Sequence, residues 1–424
     1  MSQRTYHDPL HGAIRLERSD PAEALAIDLI DTAPFQRLRR IRQLGPAYLT
    51  FHGAESSRFT HSLGVLQLAR QALAGLKRLA PELEAHTGVL YAAALLHDVG
   101  HGPLSHSGEE MYGLHHEAWS GRLIREHPQL RQRLEAYAPG TADAVADLLC
   151  HGRYPNAAIQ ALVSSQLDCD RLDYLLRDSY STGTSYGQLD LERILAALTI
   201  APDGGIALNP KGLMAVEHYL VVRNLMYRGV YNHRLNVVCN WLLTQAIATA
   251  RRLGPNAVWA DEAMGRWLWA PRELDLASFL ANDDIRTGYH LQRWREQGPP
   301  ALQELCWRLL ERHLLKATDV SRLSPQQRLE FLARARHLSE AAGLEAEQCC
   351  GLRQQQSRGY HPYKGGLRLW DGQQLGALEK RSALVRSLIQ PTEMAWLIHP
   401  AEVSAALRQE LALAAGPSQA EAST

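Results

Sequence analysis

A chain of 424 residues with 46% hydrophobic content can bury a large core, and its length suggests two or three domains. Lys plus Arg (45) equals Asp plus Glu (45), which argues against a broad electrostatic footprint for nucleic acid or a membrane surface, so any anionic substrate must be held locally. No apolar run approaches the roughly 20 residues of a membrane span, MSQRTYHDPLHG lacks the apolar stretch of a signal peptide, and the six cysteines show no paired zinc spacing; the expectation is a soluble cytoplasmic protein with reduced thiols.

Residues 4–16 alternate loosely around Pro9 and Gly12 and read as short extended segments. AEALAIDLIDTAPFQRLRRIRQLG then reads as helix, break at Pro34, and helix, with Gly45 as the stop. Its arginines, Arg37, Arg39, Arg40 and Arg42, are by themselves an ordinary solvated face. Helical periodicity returns over Ser56–Leu79, with Thr60 and His61 in the first turn.

LYAAALLHDVGHGPLSHSGEEMYGLHHE, residues 90–117, is the densest stretch chemically. Leu90–Leu96 reads as a buried helix, and Gly100, Gly102 and Pro103 forbid its continuation, so His97 and Asp98 fall in its last turn. Neither group tolerates burial unpaired. A hydrogen-bonded core pair and half of a metal site both satisfy them, and one pair does not decide between the two.

Further helices are expected at 117–126 and 140–150, then a long one over Asn156–Arg177 that places Asp170, Tyr174, Arg177 and Asp178 on one strip beside Arg171. A hairpin around PDGG follows, and a helix from Leu213 to about Arg252 in which Arg223, Tyr227, Tyr231 and Arg234 recur at helical spacing. Helical pattern continues over 258–347. Beyond 348, GLRLWDG and EMAWLIHP read as strands flanking a helix near 375–389, and a last helix occupies 401–414. The fold class is therefore mainly α with a small C-terminal α+β appendage. The expected organisation is a core over 1–300, a C-terminal region over 301–414 suited to oligomerisation, and a disordered tail over 415–424.

His61, His97-Asp98 and Asp170 stand in the order H…HD…D, the HD phosphohydrolase signature, and two imidazoles with two carboxylates make one metal site with room for water. RFTHSLGV, HDVGHGPLSH, HHE, DCDRLDYLLRD and RNLMYRGVYNHR sharpen the match: over residues 4–250 the chain resembles the HD-domain deoxynucleoside triphosphate triphosphohydrolases, which include the animal SAM-and-HD-domain enzyme and bacterial relatives. The resemblance implies a metal (Mn, Fe, Mg or Zn) on His61, His97, Asp98 and Asp170, and cleavage of a dNTP to deoxynucleoside and inorganic triphosphate. It implies His106 as general acid, His101 and His116 on phosphate, and Glu117 orienting a histidine.

It also implies phosphate contacts at Arg58, Arg171 and Arg223, and the sugar 3′-hydroxyl at Tyr174 and Asp178. Gln43 and Leu44 would lie against the 2′ side, and Tyr231 against sugar or base. The family's Tyr-Gln-His is Tyr231-Asn232-His233 here, which puts the base contact of Asn232 in question. Arg4, Asp31, Gln36 and Arg39 correspond to a guanine-nucleotide effector site between subunits, and Arg234 to a phosphate contact of a second one. That implies a homo-oligomer, a tetramer by analogy, with GTP or a dNTP as effector and nucleic acid a secondary partner. Other phosphoesters (a monophosphate, a cyclic dinucleotide, an alarmone) and a non-catalytic nucleotide-binding module are the alternatives. Three phosphate-binding arginines favour the triphosphate.

Overall fold

The computed structural model describes residues 3–362 and 366–415, which form a mainly α-helical protein with three small sheets. The opening segments pair as an antiparallel hairpin, Gln3–Asp8 with Gly12–Glu17, closed by the Asp8 carboxylate accepting from the Leu10 and His11 N–H groups. Asp20 caps the Pro21–Ile30 helix through the N–H groups of Ala22 and Glu23. The expected helix up to Gly45 stops earlier: Ala33–Arg37 passes into a 3-10 turn, Leu38–Arg40. Its continuation is drawn away because Asp284 takes the Arg42 N–H at 2.9 Å and the Ile41 carbonyl takes the Arg58 N–H at 2.9 Å. That strap lays residues 41–44 along the start of the Arg58–Leu76 helix, which Ser57 caps.

The Thr87–Leu96 helix is almost wholly buried and ends with His97 as its C-cap, so His97 and Asp98 stand at and just beyond the last turn. Gly100 is required there, since a Cβ would lie 2.2 Å from Ser120 N and 2.3 Å from His116 O.

Two long helices expected from periodicity are each broken. Asn156–Arg177 divides into Ala157–Val163 and Cys169–Thr182, because Asp168 accepts from the Arg171 N–H and starts a new helix rather than continuing the old one. Residues 213–252 divide into Leu213–Met226 and Arg234–Leu253 around a π-helical turn, Tyr227–Tyr231.

Packing divides the chain otherwise than a single cut at residue 300. One compact unit takes residues up to Val230, Glu262–Thr287 and Arg358–Gln390; the other takes Tyr231–Asp261, Gly288–Ser357 and residues from Pro391. In the first, the 58–76, 87–96 and 169–182 helices bury Leu63, Leu66, Leu95, Leu96, Leu172 and Leu175. The second packs Val320, Ala335, Cys350, Ala395, Leu397 and Leu407 around a sheet ordered Lys316–Asp319, Thr392–His399, Gly351–Ser357.

The C-terminal α+β residues are shared out. EMAWLIHP supplies the central strand of that second-unit sheet, whereas GLRLWDG supplies Arg368–Trp370, which pairs with the Leu198–Leu208 hairpin in the first unit. The six cysteines are free thiols, and no helix among the described residues is long and apolar enough to cross a membrane. The tail expected to be disordered lies, beyond Ala415, outside the described residues.

Candidate metal centre and active site

Three helix termini bring His61, His97, Asp98 and Asp170 together. His61 Nδ1 meets Asp173 Oδ2 at 2.7 Å and His97 Nδ1 meets the Ala94 carbonyl at 2.9 Å. A carbonyl and an ionised carboxylate only accept, so both Nδ1 atoms donate and each Nε2 of a neutral ring is left with a lone pair. Those two Nε2 atoms are 3.2 Å apart, with Asp170 Oδ1 3.0 Å from that of His61 and Asp98 Oδ2 3.4 Å from that of His97.

Lone pairs and carboxylates converging on one point repel unless a proton or a cation lies among them. In the protein alone a proton serves. Burial acts to lower the His61 pKa, but hydrogen bonds to Asp170 and Asp173 outweigh it and raise it to about 10. The donor set, imidazole nitrogen plus carboxylate oxygen, fits a divalent cation in the same place. Asp98 arrives already paired, its Oδ2 accepting from Arg58 Nη1 at 2.5 Å, and that guanidinium overcomes burial to hold its carboxyl well below the usual range.

Asp173, absent from the expected set, is the anchor behind His61. Fully buried, it also meets His11 Nε2 at 2.6 Å and Arg177 Nε at 2.8 Å. Arg177 is shared with Asp8 of the opening hairpin. Asp173 stands three residues after Asp170, on the same helical strip, and that spacing was its only sequence signal.

Beside the metal residues lies a second cluster. Leu104 and Ser105 both adopt positive φ, 60° and 56°, a conformation that costs a non-glycine residue free energy. Three contacts hold them there: Asp284 Oδ1 accepts from Leu104 N at 2.7 Å, Ser105 Oγ donates to the Arg42 carbonyl, and Arg58 Nε donates to Ser105 Oγ at 2.7 Å. The turn delivers His106 to the start of the next helix, His106–Tyr112. His101 is buried, lies 3.3 Å from Asp98 Oδ1 and stacks on His116 at a ring separation of 4.0 Å. Burial and Arg58 hold it well below the ordinary imidazole range, so it is neutral.

His106 is exposed, and Glu109 Oε2 meets its Nδ1 at 3.0 Å while Glu109 Oε1 meets Nδ1 of His116. The carboxylate that orients the histidines is therefore Glu109. Glu117, expected in that role, is exposed in the first turn of the next helix, His116–Glu126.

Of the expected phosphate residues, Arg223 is 7% exposed, and its Nε and Nη1 have no hydrogen-bond partner among the described residues. Arg171 donates through Nη1 to the Ser165 carbonyl and to Asp168. It also lines a cavity of about 480 Å³ with His151, Gln160 and Arg368, which none of the four expected metal ligands borders. Gln43 and Asp178 are buried, Tyr174 lies on the Asp170 helix with its hydroxyl pushed well up by burial, and Leu44 caps the Gly45–Leu49 turn. Tyr231 and Asn232 belong to the second unit.

The expected effector residues Arg4, Asp31, Gln36 and Arg39 form two linked pairs at the surface of the first unit. Arg4 meets Asp31 at 2.5 Å, Arg39 donates to Gln36 at 2.8 Å, and Arg39 lies 3.5 Å over the Phe59 ring. Arg234 is apart from them, in the second unit, where it lines a cavity of about 700 Å³ with Lys316, His399 and Arg408.

The HD domain model matches residues 58–178 and the HD associated region model residues 189–398. The uncharacterized protein YwfO of Bacillus subtilis is 33% identical over 91% of this chain and 89% of its own length. The deoxynucleoside triphosphate triphosphohydrolase SAMHD1 of Gallus gallus is 28% identical over 58% of this chain but 45% of its own, so the chain spans about half of that relative. A crystal structure of a phosphohydrolase from Bacteroides thetaiotaomicron superposes with a TM-score of 0.82 at 26% identity, covering 94% of this chain and 99% of that one. With His61, His97-Asp98 and Asp170 converging inside the matched region, the chain belongs to the HD-domain phosphohydrolases.

Proposed function

We propose that the protein is a metal-dependent dNTP triphosphohydrolase that cleaves dNTP to deoxynucleoside and inorganic triphosphate. The observation that supports this reading is the presence, in one unit, of two imidazole Nε2 atoms 3.2 Å apart and of a buried Arg223 whose Nε and Nη1 have no hydrogen-bond partner among the described residues. One fits a cation, the other an anion.

His61, His97, Asp98 and Asp170 would hold Mn, Fe, Mg or Zn; His2Asp2 does not choose among them. A bound metal would supply Lewis-acid polarisation of the α-phosphate and would lower the pKa of the attacking water. Arg58, Arg171 and Arg223 bind the phosphates, and Tyr174 and Asp178 take the 3′-hydroxyl. Gln43 and Leu44 close on the 2′ carbon so that a ribose hydroxyl finds neither room nor partner. His106 protonates the leaving 5′-oxygen, with Glu109 holding its Nδ1 so that Nε2 is the atom that delivers the proton. His101 and His116 bind phosphate.

Arg4, Asp31, Gln36 and Arg39 take the base and phosphates of a guanine nucleotide between protomers of a homo-oligomer, a tetramer by analogy. Incubating the purified protein with each dNTP and Mn or Mg, and separating triphosphate from orthophosphate, tests the reading. Stepwise release of orthophosphate, or no turnover of any dNTP with either metal, refutes it.

A further inference from the structure

The turn of the opening hairpin reaches the back of the metal centre. Asp8 closes that turn, its Oδ1 accepting from Leu10 N at 2.9 Å and His11 N at 3.0 Å, and the His11 ring so delivered meets Asp173 Oδ1 through Nε2 at 2.6 Å. The other Asp8 oxygen, Oδ2, pairs with Arg177 Nη1 at 2.9 Å. Arg177 in turn forks onto Asp173, Nη2 to Oδ1 at 3.0 Å and Nε to Oδ2 at 2.8 Å. Asp8, His11, Asp173 and Arg177 thus form a closed ring of contacts, and none of the four side chains is more than 5% exposed. Gly64, on the His61 helix, is what lets the ring close: a Cβ there would lie 1.9 Å from Asp173 Oδ1 and 2.5 Å from Arg177 Nη2.

With His61 Nδ1 on Oδ2 at 2.7 Å, the Asp173 carboxylate accepts four bonds, two on each oxygen, which is the whole of its lone-pair capacity. An ionised carboxylate only accepts, so His11 donates from Nε2. Arg177 rises from the same helix as Asp173, one turn on, and moves with it. His11 comes from a separate element and fixes Oδ1 against the rest of the fold. Stability does not explain burying these ionisable groups together, because well-packed apolar residues in their place commonly serve as well or better. What such a ring supplies is a fixed position, and the group it holds in place is a metal-ligating imidazole.

We propose that His11 is a positioning residue of the metal centre, which holds Asp173 against His61 Nδ1 and so keeps His61 Nε2 directed at the cation. The opening hairpin is then a functional part of the site and not only a strand pair beside it. The inference deepens the metal-dependent reading and rests on it for the presence of a cation, but on no particular substrate.

The test is calorimetric titration of the intact protein with Mn, beside His11→Leu, His11→Asn and His11→Gln, with circular dichroism and thermal melting on each. The first variant keeps the bulk and removes the donor, the second keeps an amide donor too short to reach Asp173 Oδ1, and the third restores one at about the reach of the imidazole Nε2. His11→Leu and His11→Asn should weaken Mn binding about tenfold, the lower end of the loss expected when a ligand's outer partner is disturbed, while His11→Gln stays within about twofold of the unaltered protein. A merely structural histidine has another pattern: Tm falls in the variants while Mn affinity does not move. That pattern, or His11→Gln losing as much affinity as His11→Asn, or no Mn binding by the unaltered protein, overturns the proposal. If His11→Leu does not fold, His11→Asn against His11→Gln decides alone. Failure of the dNTP reading shows separately, as absence of dNTP turnover by a protein whose Mn titrations follow the expected series.

Discussion

His61 Nε2 and His97 Nε2 stand 3.2 Å apart while each ring's Nδ1 is committed to an acceptor, Asp173 for one and the Ala94 carbonyl for the other. The Asp173 bond sets the tautomer of His61, and so decides whether that nitrogen can ligate. Asp173→Asn removes the obligatory acceptor: an amide can present its NH₂ to Nδ1 and leave the proton on Nε2. Metal affinity should fall roughly 10- to 100-fold, the usual effect of losing a ligand's outer partner. Titration with Mn, read by calorimetry, checks this, with circular dichroism to confirm the fold. An affinity within about twofold of the unaltered protein would mean that Asp173 serves only the Arg177 and His11 pairs.

Glu109 holds His106 and His116 at once. Hydrogen bonds from the two imidazoles outweigh its partial burial and hold the carboxyl below the usual range, so it is ionised throughout the working pH range. Glu109→Gln should lower kcat by about 10²-fold, comparable with loss of the general acid itself, while KM changes little. His106→Ala and the double variant should then lose no more than the worse single variant. Additive losses in kcat would separate the two residues' roles.

Much of this was legible in the sequence, and the parts that were not share a physical cause. The helix around His61, the buried 87–96 helix and its arrest at Gly100 follow from periodicity and glycine sterics, and H…HD…D named the four residues that converge. The break before Asp170 was misread because Ser164-Ser165-Gln166 carries no glycine or proline. What ends the helix is a side-chain cap, Asp168 on Arg171 N, which competes with the helical bond instead of forbidding it. Glu109 and Glu117 are equally plausible as text, three residues after His106 and one after His116, and what selects Glu109 is the folded contact of its two oxygens with both rings. Asp284 was invisible because its partner lies 180 residues away, and local pattern carries no such pairing.

Asp284 makes a pH prediction. Burial pushes its carboxyl up to about 6, against two backbone N–H bonds and Arg42 that pull it down. A folded pKa above the unfolded value of about 3.9 means that the folded state holds the proton more tightly. This contribution to stability is full below about pH 4 and is lost as pH rises through about 6. Two pKa units correspond to about 2–3 kcal/mol, and an asparagine, which cannot ionise, should lack the change. Chemical denaturation at pH 4 and pH 7 should therefore show the unaltered protein losing stability relative to Asp284→Asn over that interval. Parallel profiles would show that Asp284 stays ionised and that its backbone bonds dominate.

The surface pairs Arg4–Asp31 and Gln36–Arg39 carry the last prediction. An exposed ion pair contributes roughly 0–1 kcal/mol, so Asp31→Ala should leave the fold and Tm nearly unchanged. As an effector site it has a different signature. A carboxylate can accept two bonds from the guanine Watson–Crick edge, and Arg4 and Arg39 can neutralise phosphates once the Arg4–Asp31 contact opens. A ligand bound between protomers raises activity by favouring the assembled state, so stimulation and assembly must move together. Hydrolysis of one dNTP should rise when GTP or a second dNTP is added, and sedimentation under the same conditions should show a shift toward a tetramer. Asp31→Ala should abolish both responses while the unstimulated rate and the metal content persist. Rates in mixtures equal to the sum of single-substrate rates, with Asp31→Ala indistinguishable from the unaltered protein in both assays, would leave these four residues as an ordinary solvated face.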